Sequence, residues 1–230
     1  MDKKTCMSET LEIPQELPAM TLPGIVMFPK AMMPLYVFEE RYRLMLREIL
    51  DSHRMFALVG QREDVSDEIA ASEPPSEVAS VGLVRVCKKN PDGTSFLILQ
   101  GVSRIRIVKV VREEPFRVVA TEPLETVIDH PAASRRDELS RLLEENRELG
   151  GVTTDEMLAF LNPLKDDEAY VDLVAFTLCR ETLRKQRLLE TLSLSERSSM
   201  LVAEIRNENE RLSLLKEALG EFPDEDFDAN

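Results

Sequence analysis

The chain has 230 residues, 43% apolar and 31% charged, which suits one large domain or two small ones with packed cores and excludes a disordered polymer. Its formal net charge of −14 disfavours general attraction to nucleic-acid phosphates, and the acids of the tail EFPDEDFDAN supply only part of that charge. No apolar run nears the roughly 20 residues that span a bilayer. The three scattered cysteines, Cys6, Cys87 and Cys179, form no CxxC pair, which argues against a disulfide framework and for a cytoplasmic protein. His53 and His130 have no second His or Cys at ligand spacing, so no metal site is expected.

Residues 1–19 read as a polar leader rather than a signal peptide, because no apolar segment follows the lysines. GIVMF, 24–28, is short, apolar and ended by Pro29, as in a buried strand. From Phe38 the period becomes helical: Phe38, Tyr42, Met45, Leu46, Ile49 and Leu50 share a face, and Glu39 and Glu40 suit a helix start. MFALVG, 55–60, is a second buried strand. The acidic, proline-bearing stretch 61–77 is a surface loop.

VGLVRVCKK and TSFLILQ flank Asn90-Pro91-Asp92-Gly93, a strong hairpin signal. Gly101 is expected to break the chain. Beyond it Ile105 and Ile107 alternate with Arg104 and Arg106, whose face reads as solvated, with a phase slip at Val108 that fits a bulge. FRVVATEPLE, 116–125, adds a last strand. Short antiparallel connections suggest a small closed or nearly closed sheet.

After His130-Pro131 the pattern is helical. The first helix stops at Gly150-Gly151, Thr153 or Thr154 caps the next, and Asp166 or Asp167 the third. ETLRKQRLLETL follows. The last helix opens near Ser195 and keeps a heptad phase through Leu201, Ile205, Leu212, Leu215 and Leu219, interrupted at Glu208. It packs on its own bundle, a coiled coil with a partner being the alternative.

Catalytic signatures are missing. The eight glycines never take the spacing of a phosphate loop, and GVSRI, 101–105, lacks the closing glycine of a nucleophile elbow. The stretch Asn90–Ser95 faintly resembles the surroundings of the nucleophilic serine in Lon-type proteases, but turn chemistry explains every residue of it. Glu39-Glu40, His53 and His130 have no catalytic neighbour, so no catalytic residue and no cofactor is expected.

The segment LPGIVMFPKAMMPLYVFEERYRLML resembles the start of the Lon protease N-terminal domain family, most of all its stand-alone bacterial type, through Leu22, Pro23, Phe28, Pro29, Pro34, Leu35, Phe38, Glu39, Arg41 and Tyr42. VGLVRV (81–86), LQGVSRIRI (99–107) and, more loosely, LRKQRLLETLSLSERSSML (183–201) extend the resemblance over about residues 20–215. Lys30, Met33 and Gln100 depart from the family pattern, and Lys30 in place of a glycine is taken to mean that this turn needs no positive φ. The resemblance implies an α+β fold: a PUA-like β-barrel with one helix at 20–128, a helical bundle at 129–220 and an acidic tail at 221–230.

It also implies a non-catalytic polypeptide-binding module. Its expected partners are unfolded or exposed polypeptide segments, and a protease or chaperone beside which it would act as a quality-control adaptor. Nucleic acid and membrane are not expected partners, and no ATPase or Ser–Lys protease domain is expected in this chain. The alternatives are a peptidase or other hydrolase, and an RNA-binding PUA-like protein using Arg41, Arg43 and Arg47. Met32, Met33 and Tyr36 read first as core; as an exposed lip they are the candidate peptide contacts.

Overall fold

The computed structural model describes residues 12–62, 73–130 and 134–220. Most of the expected leader, the centre of the loop after β3 and the acidic tail lie outside them. Six strands, β1 (Glu16–Leu22), β2 (Met32–Val37), β3 (Met55–Gly60), β4 (Val78–Lys89), β5 (Ser95–Arg112) and β6 (Val118–Leu124), form a sheet in the order β2-β5-β4-β3-β1-β6. A further β5–β6 pairing closes the last five into a barrel and leaves β2 outside the closure. The β1–β3 pair is parallel. Leu17, Ala19, Ala57, Val59, Ala79, Val81, Ile105 and Val119 form one buried cluster drawn from all five barrel strands, small enough side chains for a narrow interior. Residues 16–19, read as leader, therefore belong to the barrel; Pro18 and the polar residues before it hid the strand.

Helix α1 (Glu40–Leu50) lies on the opposite face of the sheet. Its Tyr42, Met45, Leu46 and Ile49 pack with Phe56, Leu58, Val84, Leu97 and Leu99. The helical half holds α2 (Arg136–Glu148), α3 (Asp155–Leu161), α4 (Asp167–Leu178), α5 (Thr182–Glu190) and α6 (Leu194–Gly220). Local chemistry sets their ends. Gly150, at φ 77°, and Gly151 return N–H groups to Arg147 and Asn146 carbonyls at 3.0 and 2.8 Å, the double bond that terminates α2. Thr154 caps α3 and Asp166 caps α4. Along α6 the heptad is only half used. Leu201 and Ile205 are buried, Glu208 takes the next position while its neighbour Asn209 is buried and accepts from Asn146 at 2.8 Å, and Leu215 is exposed.

The FPK turn departs from expectation in three ways. Residues 24–28 make no strand, and only Val26–Phe28 are buried: Met27 enters the α1-side core, whereas Val26 and Phe28 enter the core of the bundle. Gly101 does not break β5. The strand runs through it, and the Gly101 N–H donates to Ala31 O and the Lys30 N–H to Gly101 O, both at 2.9 Å. A Cβ on Gly101 would overlap the Phe28 carbonyl, so a glycine is needed for close approach. Lys30 itself takes φ 66°. The expectation that this turn needs no positive φ is thus overturned; the lysine occupies a conformation that its Cβ disfavours. Lys30→Gly is expected to raise stability by about 0.5–1 kcal/mol, read as a higher urea midpoint at unchanged slope. A lower midpoint would show that Lys30 carries no strain there.

Arg104 is the other correction. It is 2% exposed, not solvated, because β5 passes between the barrel interior and the bundle. Its Nη2 lies 2.6 Å from Asp172 Oδ1 on α4, and its Nε donates to Leu189 O at 3.2 Å. Arg197 of α6, also fully buried, places Nε 3.2 Å from the same Asp172 oxygen, without the alignment of a hydrogen bond. Burial pushes the Asp172 carboxyl up, and the two guanidiniums oppose that shift. Burial also pulls Arg197 down to about 10. The expected bulge at Val108 is present as a register shift between Ile107 and Lys109.

Candidate functional site

The β4–β5 hairpin outgrows the barrel. β3 pairs only with Ser80–Leu83, and β6 only with Arg104–Arg112, so the hairpin's far half is paired by β2 alone. Asn90–Thr94 closes it tightly. The Thr94 N–H and hydroxyl donate to Asp92 Oδ1 at 3.0 and 2.7 Å, and Gly93 has φ 84°. Ser95 is buried at the start of β5, opposite Val37 and Lys89, as a turn-and-strand residue rather than a presented nucleophile. His53 Nδ1 accepts the Met55 N–H at 3.0 Å and so belongs to the turn before β3.

One face of this ribbon is covered by α1 and the other is not. Met33, Leu35, Val37, Leu97 and Leu99 face the α1-side core. The alternate residues Met32, Pro34 and Tyr36 of β2 stand beside Gln100, Ile98 and Phe96 of β5, and Val86 of β4 stands beside Ile98. A register shift between Val84 and Val86 turns Val86 onto this outer face. Tyr36 is 47% exposed, Phe96 54% and Phe38 60%. The Tyr36 and Phe96 ring centroids are 4.6 Å apart, and Phe38 stacks 6.0 Å from Tyr36. The result is a continuous apolar, aromatic face on a sheet edge, the kind of patch that marks an interaction site. Pro34 is compatible with an edge strand, which needs no donor on one side.

The structure therefore separates the three candidate contacts. Met32 and Tyr36 lie on the exposed face, while Met33 turns toward α1 and is half-buried. Phe96, Val86 and Ile98 were missed by sequence reasoning. FLIL is apolar in both phases, so periodicity gave no sign that one phase is open to solvent. Phe38, assigned to the helix face, instead precedes α1 and joins the outer patch.

The charged family-pattern residues nearby are structural. Arg41 donates to Glu73 at 2.7 and 2.9 Å and to Glu39 at 2.8 Å, and it holds the Glu73 carboxyl below its ordinary value. Tyr42 donates to Thr21 O at 3.0 Å. With Arg41 neutralised by two carboxylates, the patch expected from Arg41, Arg43 and Arg47 is weakened as a phosphate site. A second, polar cleft lies between barrel and bundle, lined by Lys30, Arg104, Thr126, Glu168 and Asp172. Its buried charges are already paired with one another. Among the described residues no group of His, Cys, Asp or Glu could hold a metal ion, and no helix is long and apolar enough to cross a membrane.

Comparisons place this arrangement among known proteins. Residues 16–207 match the model of the family described as the ATP-dependent protease La (LON) substrate-binding domain. Lon protease 2 of Bdellovibrio bacteriovorus is 28% identical over 201 residues, covering 84% of this chain and 24% of the relative. Lon protease of Trichlorobacter lovleyi is 29% identical over 213 residues, covering 90% and 26%. The chain thus spans about a quarter of the length of these curated relatives. The N-terminal domain of Mycobacterium avium complex Lon protease superposes with a TM-score of 0.64 at 15% identity, covering 83% of this chain and 98% of that one. A Lon N-terminal domain protein from Xanthomonas campestris gives 0.60 at 20%, covering 82% and 97%. These likenesses show the fold. With the match over most of its length, the chain belongs to the Lon substrate-binding domain family.

Proposed function

We propose that this chain acts by binding polypeptide rather than by catalysis, and that it takes unfolded or exposed apolar segments on the face built from Met32, Tyr36, Phe38, Val86 and Phe96. The observation that carries this reading is the solvent-exposed aromatic cluster on a strand outside the barrel closure. Family membership and the burial of Ser95 support it. A protease or chaperone receiving the bound segment would make the protein a quality-control adaptor.

The test is titration of a reduced, unfolded client and its folded form against the intact protein. The unfolded client should bind more tightly and keep most of its affinity at moderate salt, since apolar contacts are not screened. Tyr36→Ala and Phe96→Ala should each weaken binding about tenfold, a loss of roughly 1.4 kcal/mol that is modest for an aromatic anchor. Both side chains are half-exposed, so stability should change little. Undiminished binding by the double variant would remove the face from consideration. Casein cleavage that survives purification and is lost in Ser95→Ala would replace this reading with a hydrolase.

A further inference from the structure

The free edge of β2 and the groups around it define how a segment would lie there. β2 ends the sheet order, and among the described residues no backbone bond beyond the β5 pairing engages residues 32–37. The edge is open on both faces. Met32 and Tyr36 are exposed on one, and on the other Met33 and Leu35 stay half-buried although their neighbours Leu97 and Leu99 on β5 are fully covered. A strand laid beside β2 would finish covering Met33 and Leu35 and would contact Met32 and Tyr36 at the same time. That would bring all three candidate contacts into one interaction.

The residues that flank β2 in the chain carry opposite charge. Lys30, which also borders the polar cleft, lies two residues before β2, and Glu40 opens α1 three residues after it; both are exposed, and among the described residues neither is in an ion pair with an opposite charge. An antiparallel neighbour would bring its C-terminal end to Lys30 and its N-terminal end to Glu40. We propose, resting on the polypeptide-binding reading above, that the partner is an extended segment of about six apolar residues that adds antiparallel to β2. It would carry a basic group at its N-terminal end and an acidic group at its C-terminal end. Six residues at about 3.3 Å each match the length of β2. The main-chain bonds, made without an N–H from Pro34 at the centre of the edge, would supply affinity without sequence specificity, and the apolar contacts on both faces would select against polar segments.

The probe is a blocked octapeptide, Lys followed by six apolar residues and Glu, labelled and titrated by fluorescence anisotropy against the intact protein. Two further versions carry N-methyl groups on alternate backbone amides, one on each set, and a fourth exchanges the Lys and the Glu. One N-methyl set should weaken binding by tenfold or more while the other leaves it within about twofold, because only one edge of the peptide meets β2. The exchanged peptide should bind several-fold more weakly at low salt, and the double variant Lys30→Glu, Glu40→Lys should reverse that preference. Equal effects of the two N-methyl sets, with Tyr36→Ala still weakening binding, would overturn strand addition and leave the site reading standing. Binding indifferent to Tyr36→Ala, or no binding up to millimolar peptide, would overturn both.

Discussion

Replacing Asp172 by alanine is expected to destabilise the protein by about 3–5 kcal/mol, since removing one partner of a buried charge cluster leaves the others uncompensated. Asp172 is 1% exposed and serves two arginines, Arg104 from the barrel and Arg197 from α6. Neither arginine can reach water. Arg104 would keep Leu189 O at 3.2 Å, Thr126 Oγ1 at 3.4 Å and Glu168 at 3.3 Å; Arg197 would keep Thr191 O at 2.7 Å and Thr126 Oγ1 at 3.1 Å. Those contacts satisfy donors, but only the Glu168 carboxylate, itself partly exposed, supplies negative charge. Urea unfolding followed by circular dichroism measures the cost. A joint replacement of Arg104, Asp172 and Arg197 by apolar residues of similar volume should cost much less than Asp172→Ala alone, because it removes the charges together. If the single variant cost under about 1 kcal/mol, the cluster would not hold barrel and bundle together.

That cluster also shows where sequence reading stops. Residue type alone placed Arg104 in solvent, because alternation with Ile105 is the pattern of a half-buried strand. The pattern was right about Ile105, which faces the barrel interior. It could not announce a carboxylate arriving 68 residues later on another element. GIVMF failed for a related reason. Its apolar run suggests a buried chain, and Val26, Met27 and Phe28 are buried, although Gly24 lies exposed in a turn. Whether it joins a ladder depends on neighbours, and here the neighbours are two separate cores. The hairpin and the helix ends were legible because Asn90–Gly93, Gly150, Thr154 and Asp166 act through bonds within a few residues.

The candidate site was half legible. Met32, Met33 and Tyr36 read from the sequence first as core and otherwise as an exposed lip, and the structure puts Met32 and Tyr36 on the exposed face and Met33 half-buried. The cross-strand aromatic Phe96, and Val86 turned outward by a bulge, depend on register, which neither local run encodes. Lys30 was misread because a lysine in place of a glycine was taken as evidence about φ. The structure shows that the backbone kept the glycine conformation and the side chain tolerated it.

Phe28→Ala is expected to cost about 3–5 kcal/mol and to loosen the join between the two halves. Phe28 sits on the barrel's FPK turn, yet its fully buried side chain belongs to the same cluster as Tyr170, Val174, Leu188 and Leu201 of the bundle. The Arg104 guanidinium lies 5.8 Å from its ring centroid, so the ring also walls the buried charges. The turn is fastened to β5 through Lys30 and Gly101, which keeps the barrel from following a collapsing cavity. Its neighbour Met27 supplies the control. It is equally buried but faces the α1-side core, so Met27→Ala should cost a similar amount, about 2–5 kcal/mol, without separating the halves. Denaturation of each variant, read by helical circular dichroism and by protease cutting at residues 125–130, distinguishes the two. In Phe28→Ala the helical signal should fall at lower urea than the barrel signal and the join should become cleavable; in Met27→Ala both signals should fall together. The links that remain include the Arg104 contacts with Asp172, Glu168 and Leu189 O, the Gln186 side chain on Val78 O at 2.9 Å and the Val127 backbone bonds to Leu192 and Leu194; with the ring that walls the charge cluster removed, the bundle is expected to open below the barrel's own transition. Coincident transitions in Phe28→Ala, at a cost below about 1 kcal/mol, would mean that the bundle core closes without the barrel's phenylalanine.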